Sequence, residues 1–559
     1  MERCSISSPR ALALGALTLA TLVAAAGPFS PAVSDALAAP GDVAGKFATP
    51  GRTPTGLAFD GHHLWVADRL TDELYALDPA TGEVVRTLPA PGFIPRGLAW
   101  DGAHLWVVDG EEKRIVMLDP ESGTTLASLE SPATVPQGLA WDGRYLWLAD
   151  DADDKLMQIS TADGTTVEEF AAPMKSPTGL TWWQGYLWSA DRLQDRIYLV
   201  DPRHGGEVVL SIAAPGPHAY GLAADGDHLW VADYQDDVVY RVVAQDGELV
   251  GRSNGQKLDL LLTHEFRNYG PGELTSLDVY IAVPSGSPMQ DIIVEPSFSP
   301  EPDEFLEDRW QQKVAHWRLT DLPIAERQRL TMDVRCELFD TRWYVFPHEV
   351  GELEDIPRAV REQYLVDEDK YRIGDPRIVS AVKEAVGDET NPYWMMRNIH
   401  RYIRERLHYE LAGGWNVAPR VLERGNGSCS EYTFLFISMC RAAGIPARYV
   451  GAVVVRGDAA SSDDVFHRWS QVYLPPYGWI HIDPQGGDKE LPGQVAESIG
   501  ALPNRFLITT EGGGASEYLG WNYNYEQSWT ARGPVKVHEE AVGEWSPAAE
   551  DTTQARLGS

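Results

Sequence analysis

Residues 425–432 read Gly-Asn-Gly-Ser-Cys-Ser-Glu-Tyr and run directly into an apolar stretch with helical spacing that ends at Gly444. The glycines and the asparagine favour a turn, so a helix is predicted to begin close to Cys429. Backbone N–H groups at a helix start lack partners, and with the helix dipole they favour a thiolate over a thiol. The segment therefore predicts a nucleophilic cysteine.

Two residues further along the chain supply what a cysteine nucleophile needs. Strand-like runs follow at residues 448–455, 467–474 and 479–483, and Pro475-Pro476-Tyr477-Gly478 joins the last two. His467 and Asp483 lie at the edges of these runs, so a hairpin would place them in neighbouring strands, in a register that the sequence does not fix. We expect His467 to act as a base and Asp483 to orient its ring.

The residues around these three positions form a specific pattern. It comprises Gly427-Ser428-Cys429-Ser430-Glu431-Tyr432, Arg441-Ala442-Ala443-Gly444-Ile445-Pro446-Ala447-Arg448, His467-Arg468-Trp469, Gly478-Trp479 and Asp483-Pro484. From near Tyr393 to Pro484 the chain closely resembles the transglutaminase-like superfamily. The resemblance implies a papain-like α+β core whose catalytic triad is Cys429, His467 and Asp483. Gln471 departs from the acidic residue common after His-x-Trp.

The resemblance implies a cysteine enzyme that acts on amide or peptide bonds of a protein or peptide substrate through a thioester. Water as acceptor would make it a peptidase or amidase, which we favour, and a lysine amine would make it a cross-linking acyltransferase. Some family members use a tryptophan at the oxyanion, and Trp415 and Trp469 are both candidates here. An alternative is a non-catalytic extracellular binding or scaffold protein with a vestigial transglutaminase-like domain.

No cofactor or metal is predicted. The sequence contains no His-Glu-x-x-His, no paired Cys-x-x-Cys and no glycine loop of the kind that binds phosphate. The remaining polar candidates have structural interpretations. We expect His400 to lie on the packed face of a helix and Arg448 to form a structural salt bridge.

The N-terminal part of the chain is repetitive. Gly-Leu-Ala or Gly-Leu-Thr begins at Gly56, Gly97, Gly138, Gly179 and Gly221, at intervals of 41, 41, 41 and 42 residues. Each unit continues through a hairpin signal and a Leu-Trp strand, and four short strands in about 40 residues are typical of one propeller blade. Residues 41–47 align with residues 82–88, so the chain opens with a strand that would close a ring of five blades. Residues 247–250 compete for that place or lead out of the ring.

These units resemble NHL-type propeller repeats, and we assign residues 39–252 to a β-propeller that holds a protein or glycan partner. An aspartate ends the same strand in every unit, and a tryptophan recurs in that strand. We interpret the aspartates as turn caps rather than calcium ligands, and the tryptophans as packing residues rather than a sugar-stacking platform. A calcium-dependent adhesion propeller remains an alternative. The aspartates are Asp68, Asp109, Asp150, Asp191 and Asp233, and the tryptophans are Trp65, Trp106, Trp147, Trp188 and Trp230.

The rest of the chain completes a multidomain architecture. Alternating apolar stretches predict a β-sandwich at residues 255–350, with Cys336 in its core. Helical patterns then open a transglutaminase-like catalytic domain at residues 352–515, with Cys440 in its core. Residues 536–559 are rich in Glu, Ala, Ser and Thr and are predicted to be a disordered tail.

Composition limits location and partners. The 559 residues carry a net charge of −35, which disfavours nucleic acid and anionic membranes and suits cationic ligands or a soluble acidic surface. Residues 1–38 read as a signal peptide, with an apolar run at residues 11–26, so we expect a secreted or periplasmic protein with no integral membrane span beyond that segment. Cys429 and Cys440 would lie about 16 Å apart on one helix, too far for a disulfide.

Overall fold

The computed structural model of the protein describes residues 39–411, 415–487 and 489–548. The predicted signal peptide at residues 1–38 and the final part of the predicted tail, residues 549–559, lie outside the described residues. No helix within the described residues has both the length and the apolar character needed to cross a bilayer.

Residues 43–243 form repeated four-stranded antiparallel sheets, of which the described chain contains five. Four sheets take four consecutive strands each, and the fifth combines β18, β19 and β20 with β1. The strands are β1 (Val43–Ala48), β2 (Pro54–Phe59), β3 (Leu64–Asp68), β4 (Glu73–Leu77), β5 (Val84–Pro89), β6 (Pro95–Trp100), β7 (Leu105–Asp109), β8 (Arg114–Leu118), β9 (Thr125–Glu130), β10 (Pro136–Trp141), β11 (Leu146–Asp150), β12 (Lys155–Ile159), β13 (Thr166–Ala171), β14 (Pro177–Trp183), β15 (Tyr186–Asp191), β16 (Arg196–Asp201), β17 (Glu207–Ala213), β18 (Ala219–Asp225), β19 (His228–Asp233) and β20 (Val238–Val243).

The first strands of the five sheets contact one another in turn. β2 contacts β6, β6 contacts β10, β10 contacts β14, β14 contacts β18, and β18 returns to β2. The repeated glycine permits this approach, because a Cβ atom on Gly56 would overlap the carbonyl oxygen of Arg96. β1 pairs with β20, with Lys46 opposite Tyr240, as the alignment of residues 41–47 with residues 82–88 predicts.

The repeated aspartates and tryptophans stabilise each sheet from within. Asp68 accepts hydrogen bonds from the backbone N–H groups of Thr53 (2.7 Å) and Leu70 (2.9 Å). Trp65 is buried, and its indole N–H donates to Asp60 in the preceding hairpin (2.9 Å). Equivalent contacts recur in other units, so the turn-capping and packing interpretations are confirmed.

A long strand leads out of the repeats. β21 is 33 residues long and pairs with β25 through its first half and with β24 through its second. Residues 247–250 therefore lead out of the repeated sheets, because Val250 already pairs with Trp343. The two halves of β21 share one apolar core, which contains Cys336 as predicted. The strands are β21 (Val250–Ala282), β22 (Gln290–Ser299), β23 (Glu304–Glu307), β24 (Lys313–Leu322) and β25 (Arg327–Trp343).

Helices and short strands follow. Two helices begin at Pro376 and Pro392, as predicted, because proline suits the first helical position and Asp375 and Asn391 cap the N-termini. The helices are α1 (Arg358–Tyr364), α2 (Pro376–Val386), α3 (Pro392–Arg406), α4 (Ala418–Arg424), α5 (Cys429–Ala442) and α6 (Pro492–Ala496). The strands are β26 (His408–Tyr409), β27 (Asn426–Gly427), β28 (Ala447–Val454), β29 (Ser461–Asp463), β30 (His467–Leu474), β31 (Gly478–Ile482), β32 (Ala501–Leu502), β33 (Phe506–Gly512) and β34 (Tyr525–Pro547). Short 3-10 turns occur at Pro202–His204, Pro347–Glu349 and Leu353–Asp355.

The central helix of this region is α5. It is almost completely buried and packs against a four-stranded antiparallel sheet in the order β31-β30-β28-β33. Because α5 is buried on all sides, it has no solvent-exposed polar face of the kind that a surface helix presents.

The predicted disordered tail is wrong for residues 536–547. β34 pairs with β21 along most of its length, with Trp545 opposite Leu260 and Trp529 opposite Leu277. Trp545 is 2% exposed and lies in the core formed by β21 and β25. The exposed face of this long strand is polar, so the composition resembles that of a disordered segment. A few buried side chains and the backbone hydrogen bonds to β21 nevertheless hold the strand in place.

The fourth repeated sheet is fixed to the helical region. Its outer strand β17 is buried, whereas the corresponding outer strands β5, β9 and β13 are largely exposed. Arg397 of α3 forms an ion pair with Glu207 and donates to the carbonyl oxygen of Val208 (2.9 Å). His204 stacks on Trp394 of α3, with ring centroids 3.7 Å apart. Apolar and charged contacts therefore hold the repeats against α3.

Replacing Trp545 by alanine tests the position of β34. We expect Trp545→Ala to lower the free energy of unfolding by about 3–5 kcal/mol, because it removes a buried indole. Trp529→Ala, on the same strand but 41% exposed, should cost less than about 1 kcal/mol. Urea denaturation of both variants measures the difference, and equally small effects would contradict an ordered β34.

Candidate functional site

Cys429 is the first residue of α5, as the sequence predicts. The turn before it is fixed by Glu431, which is fully buried, accepts a hydrogen bond from the backbone N–H of Ser428 (3.0 Å) and pairs with Arg424 (2.8 Å). Cys429 itself is partly exposed, whereas Cys440 on the same helix is buried and both are free thiols. Of the two thiols on α5, the one at the helix N-terminus is therefore the more accessible.

His467 and Asp483 meet at the edge of the sheet. The hairpin of β30 and β31 has Ser470 opposite Ile482, which sets the register that the sequence leaves open. His467 Nε2 lies 2.9 Å from Asp483 Oδ2. The other carboxylate oxygen accepts the backbone N–H groups of Gln485 (3.1 Å) and Gly486 (3.0 Å), so the turn after β31 holds the carboxylate in position.

The backbone just before His467 has an unusual conformation. Phe466 has a φ of 61°, in the left-handed region that non-glycine residues seldom adopt. Buried Asp463 lies within 3.3 Å of the backbone N–H of Phe466 and accepts from Arg456, which supports the turn. Strain of this kind persists only where surrounding contacts fix it, and here it orients the chain as it enters β30.

Cys429, His467 and Asp483 influence one another electrostatically. Burial alone would raise the pKa of Cys429, but hydrogen bonding and charge from His467, with Arg468, hold it below its ordinary value. Burial opposes protonation of His467, yet Asp483 and Cys429 together raise its pKa to about 10. Burial acts to raise the pKa of Asp483, and the positive ring of His467 holds it low. The arrangement supports a thiolate beside an imidazolium, a pair able to attack an electrophilic carbon.

The two tryptophans that are candidates for an oxyanion site differ in how accessible their side chains are. Trp469 is 1% exposed, stacks on His467 at 5.6 Å and donates its indole N–H to His481 Nδ1 (2.6 Å). An indole has a single N–H, so Trp469 has none to offer a substrate. Trp415 is 37% exposed and remains the candidate of the two.

Arg468 is a feature to which the sequence analysis assigned no role. It is fully buried, and its guanidinium lies 4.3 Å from the ring centroid of Tyr523, 4.8 Å from that of Tyr449 and 4.9 Å from that of Trp415. It donates to the carbonyl oxygen of Trp521, while its Nε and Nη1 lack a partner among the described residues. Aromatic faces stabilise a desolvated cation without neutralising it, so its charge acts on Cys429. The sequence did contain one signal for this role, a charged residue placed between His467 and Trp469 in a strand-like run.

The remaining predictions have clear outcomes. His400 is 2% exposed and burial lowers its pKa to about 4, so it is a neutral core residue, as expected. Arg448 forms the predicted salt bridge, to Glu511 at 2.8 Å.

Removing the charge of Arg468 should change the titration of the thiol. In Arg468→Met we expect the pKa of Cys429 to rise, so that alkylation by iodoacetamide at pH 7 slows by roughly tenfold. Arg468→Lys should largely retain the wild-type pH profile because it keeps a cation. The matched control is Arg448→Met, which removes another buried arginine of the same sheet. Profiles that are the same in all four proteins would contradict an electrostatic role.

Loss of the Asp483 charge should produce a pH-dependent loss of stability. Because the pKa of His467 is raised in the folded protein, its contribution to stability is complete below about pH 6.5 and is lost as the pH rises towards 10. Asp483→Asn should therefore cost on the order of 3 kcal/mol at pH 6, with the difference narrowing at alkaline pH. Urea denaturation across this range measures it.

Asp463→Asn provides a control for that experiment. Asp463 is the more deeply buried of the two carboxylates, with its side chain 0% exposed against 27% for Asp483, and it pairs with Arg456, which stays charged throughout this range. Its effect on stability should not diminish between pH 6 and 10. If the loss of unfolding free energy in Asp483→Asn is as constant between pH 6 and 10 as the loss in Asp463→Asn, the pairing of His467 with Asp483 is contradicted.

Comparison with known proteins finds relatives both in sequence and in structure. An uncharacterized protein of Haemophilus influenzae is 29% identical over 166 residues, covering 24% of this chain and 45% of the relative, so the chain spans less than half of that relative. A putative cysteine protease from Cytophaga hutchinsonii is similar in structure, with a TM-score of 0.38, 14% identity, and coverage of 53% of this chain and 99% of that one. The Myxococcus xanthus glutaminyl cyclase has a TM-score of 0.33, 16% identity, and coverage of 36% and 94%.

These structural similarities are too weak to establish a shared fold over the whole chain. The family match is more specific, because residues 380–484 fit the sequence model of the transglutaminase-like superfamily. That range contains Cys429, His467 and Asp483. Residues 380–484 are thus a transglutaminase-like domain, in a chain whose N-terminal part consists of propeller-like repeated sheets.

Proposed function

We propose that the protein is a transglutaminase-like cysteine enzyme that cleaves amide or peptide bonds through a thioester on Cys429. The observation that carries the proposal is the placement of a partly exposed thiol at the start of α5 beside a histidine paired with Asp483. Each group has the position that a nucleophile, a base and an orienting carboxylate require.

In the first half of the reaction, the Cys429 thiolate attacks the carbonyl carbon of a carboxamide or peptide and forms a C–S bond. The negative charge that develops on oxygen lies near the N-terminus of α5, where backbone N–H groups and the helix dipole favour it. When the C–N bond breaks, His467 gives its proton to the leaving nitrogen. Ammonia or an amine departs, and an acyl thioester remains on Cys429.

In the second half, His467 takes a proton from the acceptor while the acceptor attacks the thioester carbon. The C–S bond then breaks, and Cys429 leaves as the thiolate beside the reprotonated ring. Water yields a carboxylic acid and makes the enzyme a hydrolase, which is the outcome we favour. A primary amine would instead yield a new amide, since the same residues serve both acceptors.

We further propose that the repeated sheets form a five-bladed propeller that binds a protein or glycan partner, and that the protein is secreted or periplasmic. The successive contacts between first strands and the pairing of β1 with β20 support the ring. The charged and apolar run at the start of the sequence supports export. The packing of β17 against α3 would keep a bound partner at a fixed distance from Cys429.

Peptide assays test the proposed reaction. Wild type and Cys429→Ala are incubated with glutamine-containing peptides, with and without a primary amine, and ammonia and new peptide termini are followed. We expect product with the wild type and a loss of at least about a thousandfold in Cys429→Ala, because the nucleophile is absent. New termini identify a peptidase, ammonia with a new acid identifies an amidase, and amine incorporation identifies an acyltransferase.

Cys440→Ala is the matched control, since it removes another thiol of α5 outside the site and should retain activity in folded protein. Iodoacetamide labelling gives a second measurement that needs no substrate. If Cys429 reacts no faster in the wild type than in His467→Ala, and no peptide is turned over, the domain is a non-catalytic scaffold.

A further inference from the structure

The fourth repeated sheet departs from the others in the hydrogen bonds of its aspartate. In the first sheet Asp68 accepts the backbone N–H of Thr53 (2.7 Å), in the loop that precedes the first strand of the sheet. The same bond recurs in three further sheets, at Asp109, Asp150 and Asp233. Asp191 of the fourth sheet accepts N–H groups through Oδ1 only, and its buried Oδ2 has no hydrogen-bond partner among the described residues.

A methionine in this loop explains the difference. The corresponding residue of the first sheet is Gly51, on which a Cβ atom would lie 2.1 Å from Oδ2 of the aspartate. The fourth sheet has Met174 at this position, and so long a side chain cannot occupy the same space beside Asp191. The loop is displaced instead, since Ser176 has a φ of 80° and its N–H donates to Asp154 (3.2 Å).

The displaced loop contacts α6. Met174 is 7% exposed and packs in one apolar cluster with the last residue of that helix. The carbonyl oxygen of Pro173 accepts the backbone N–H of Gly493, the second residue of α6 (2.8 Å). Just beyond the other end of the helix, Glu497 accepts a hydrogen bond from Ser211 of β17 (2.8 Å). The fourth sheet therefore holds α6 near both of its ends.

The segment that follows α6 runs beside Asp483. The backbone N–H of Asp483 donates to the carbonyl oxygen of Ser498 (2.8 Å). Two residues further along, the N–H of Gly500 donates to the carbonyl oxygen of His481 (2.8 Å). The carboxylate of Asp483 in turn lies 2.9 Å from Nε2 of His467. A continuous set of contacts thus leads from the loop of the fourth sheet to the imidazole ring.

We propose that Met174 is a positioning residue for the pair formed by His467 and Asp483. By holding α6 against the fourth sheet, Met174 fixes Ser498 and, through it, the backbone of Asp483. A buried acceptor without a donor, such as Oδ2 of Asp191, is unfavourable, and local defects of this kind persist where other contacts require them. The inference rests on the proposed function, and it gives the repeated sheets a part in the reaction besides binding a partner.

The pH profile of Cys429 alkylation tests the proposal. In Met174→Ala we expect the loop to adopt the conformation of the third sheet, where an alanine stands at this position and the aspartate bond forms. Alkylation by iodoacetamide at pH 7 should then slow by about fivefold, because a displaced imidazolium stabilises the thiolate less. Met174→Leu keeps an apolar side chain of similar volume and should retain the wild-type profile.

Gly493→Ala disturbs the same contact from the side of α6. Its added Cβ atom would lie 2.9 Å from the carbonyl oxygen of Pro173 and 3.0 Å from Sδ of Met174, so the profile should move in the same direction. The matched control is Ala133→Gly, which alters the corresponding loop of the third sheet, in a different apolar cluster from α6. An equal change in that control would overturn the inference.

Proton NMR gives a second readout that needs no reactive thiol. The ring N–H of His467 that bonds Asp483 should give a downfield signal that is absent from His467→Ala and is shifted in Met174→Ala and Gly493→Ala. Alkylation profiles and ring signals that both folded variants leave unchanged refute the positioning role. If wild-type Cys429 reacts no faster than Cys429 in His467→Ala, the proposed function fails instead, and the ring signal still decides whether Met174 positions Asp483.

Discussion

The packing of α5 against β30 is the interaction on which the arrangement of Cys429, His467 and Asp483 depends. The hydroxyl of Thr433 lies 2.8 Å from the carbonyl oxygen of Cys429 and 3.3 Å from that of Arg468, so one side chain joins the helix start to the strand. A thiol at a helix N-terminus also needs a nearby group that can give a proton to the leaving group and take one from the acceptor. Because α5 is buried on all sides, the first residue of the helix and the first residue of β30 have fixed relative positions.

Local charge, rather than the net charge of −35, determines the chemistry of this site. Exposed charges are screened over about 10 Å, whereas buried charges act strongly on near neighbours. Cys429 is next to two cations, the imidazolium of His467 and the guanidinium of Arg468. Asp483 stabilises the charge of His467 by raising its pKa, and Arg468 is surrounded by aromatic rings with no carboxylate partner among the described residues. Within an acidic protein, these two cations thus balance the negative charges of the Cys429 thiolate and Asp483.

The repeated sheets are attached directly to the region that contains the partly exposed thiol of Cys429. The buried strand β17 and the ion pair of Arg397 with Glu207 fix the repeats to α3, so they are not connected by a flexible linker alone. The repeated sheets are therefore held in a fixed position relative to α3 and the rest of the helical region.

The sequence by itself determined the features that depend on local pattern. The glycine spacing of the repeats, the helix start at Cys429, the prolines that open α2 and α3, and the identities of His467 and Asp483 are all visible in short segments, because turn chemistry and periodicity are local properties. Tertiary structure decided the rest. The hairpin register, the pairing of β34 with β21 across more than two hundred residues, and the caged charge of Arg468 all require distant segments to meet. No local pattern specifies such contacts, since they arise only when several elements bury their apolar faces together.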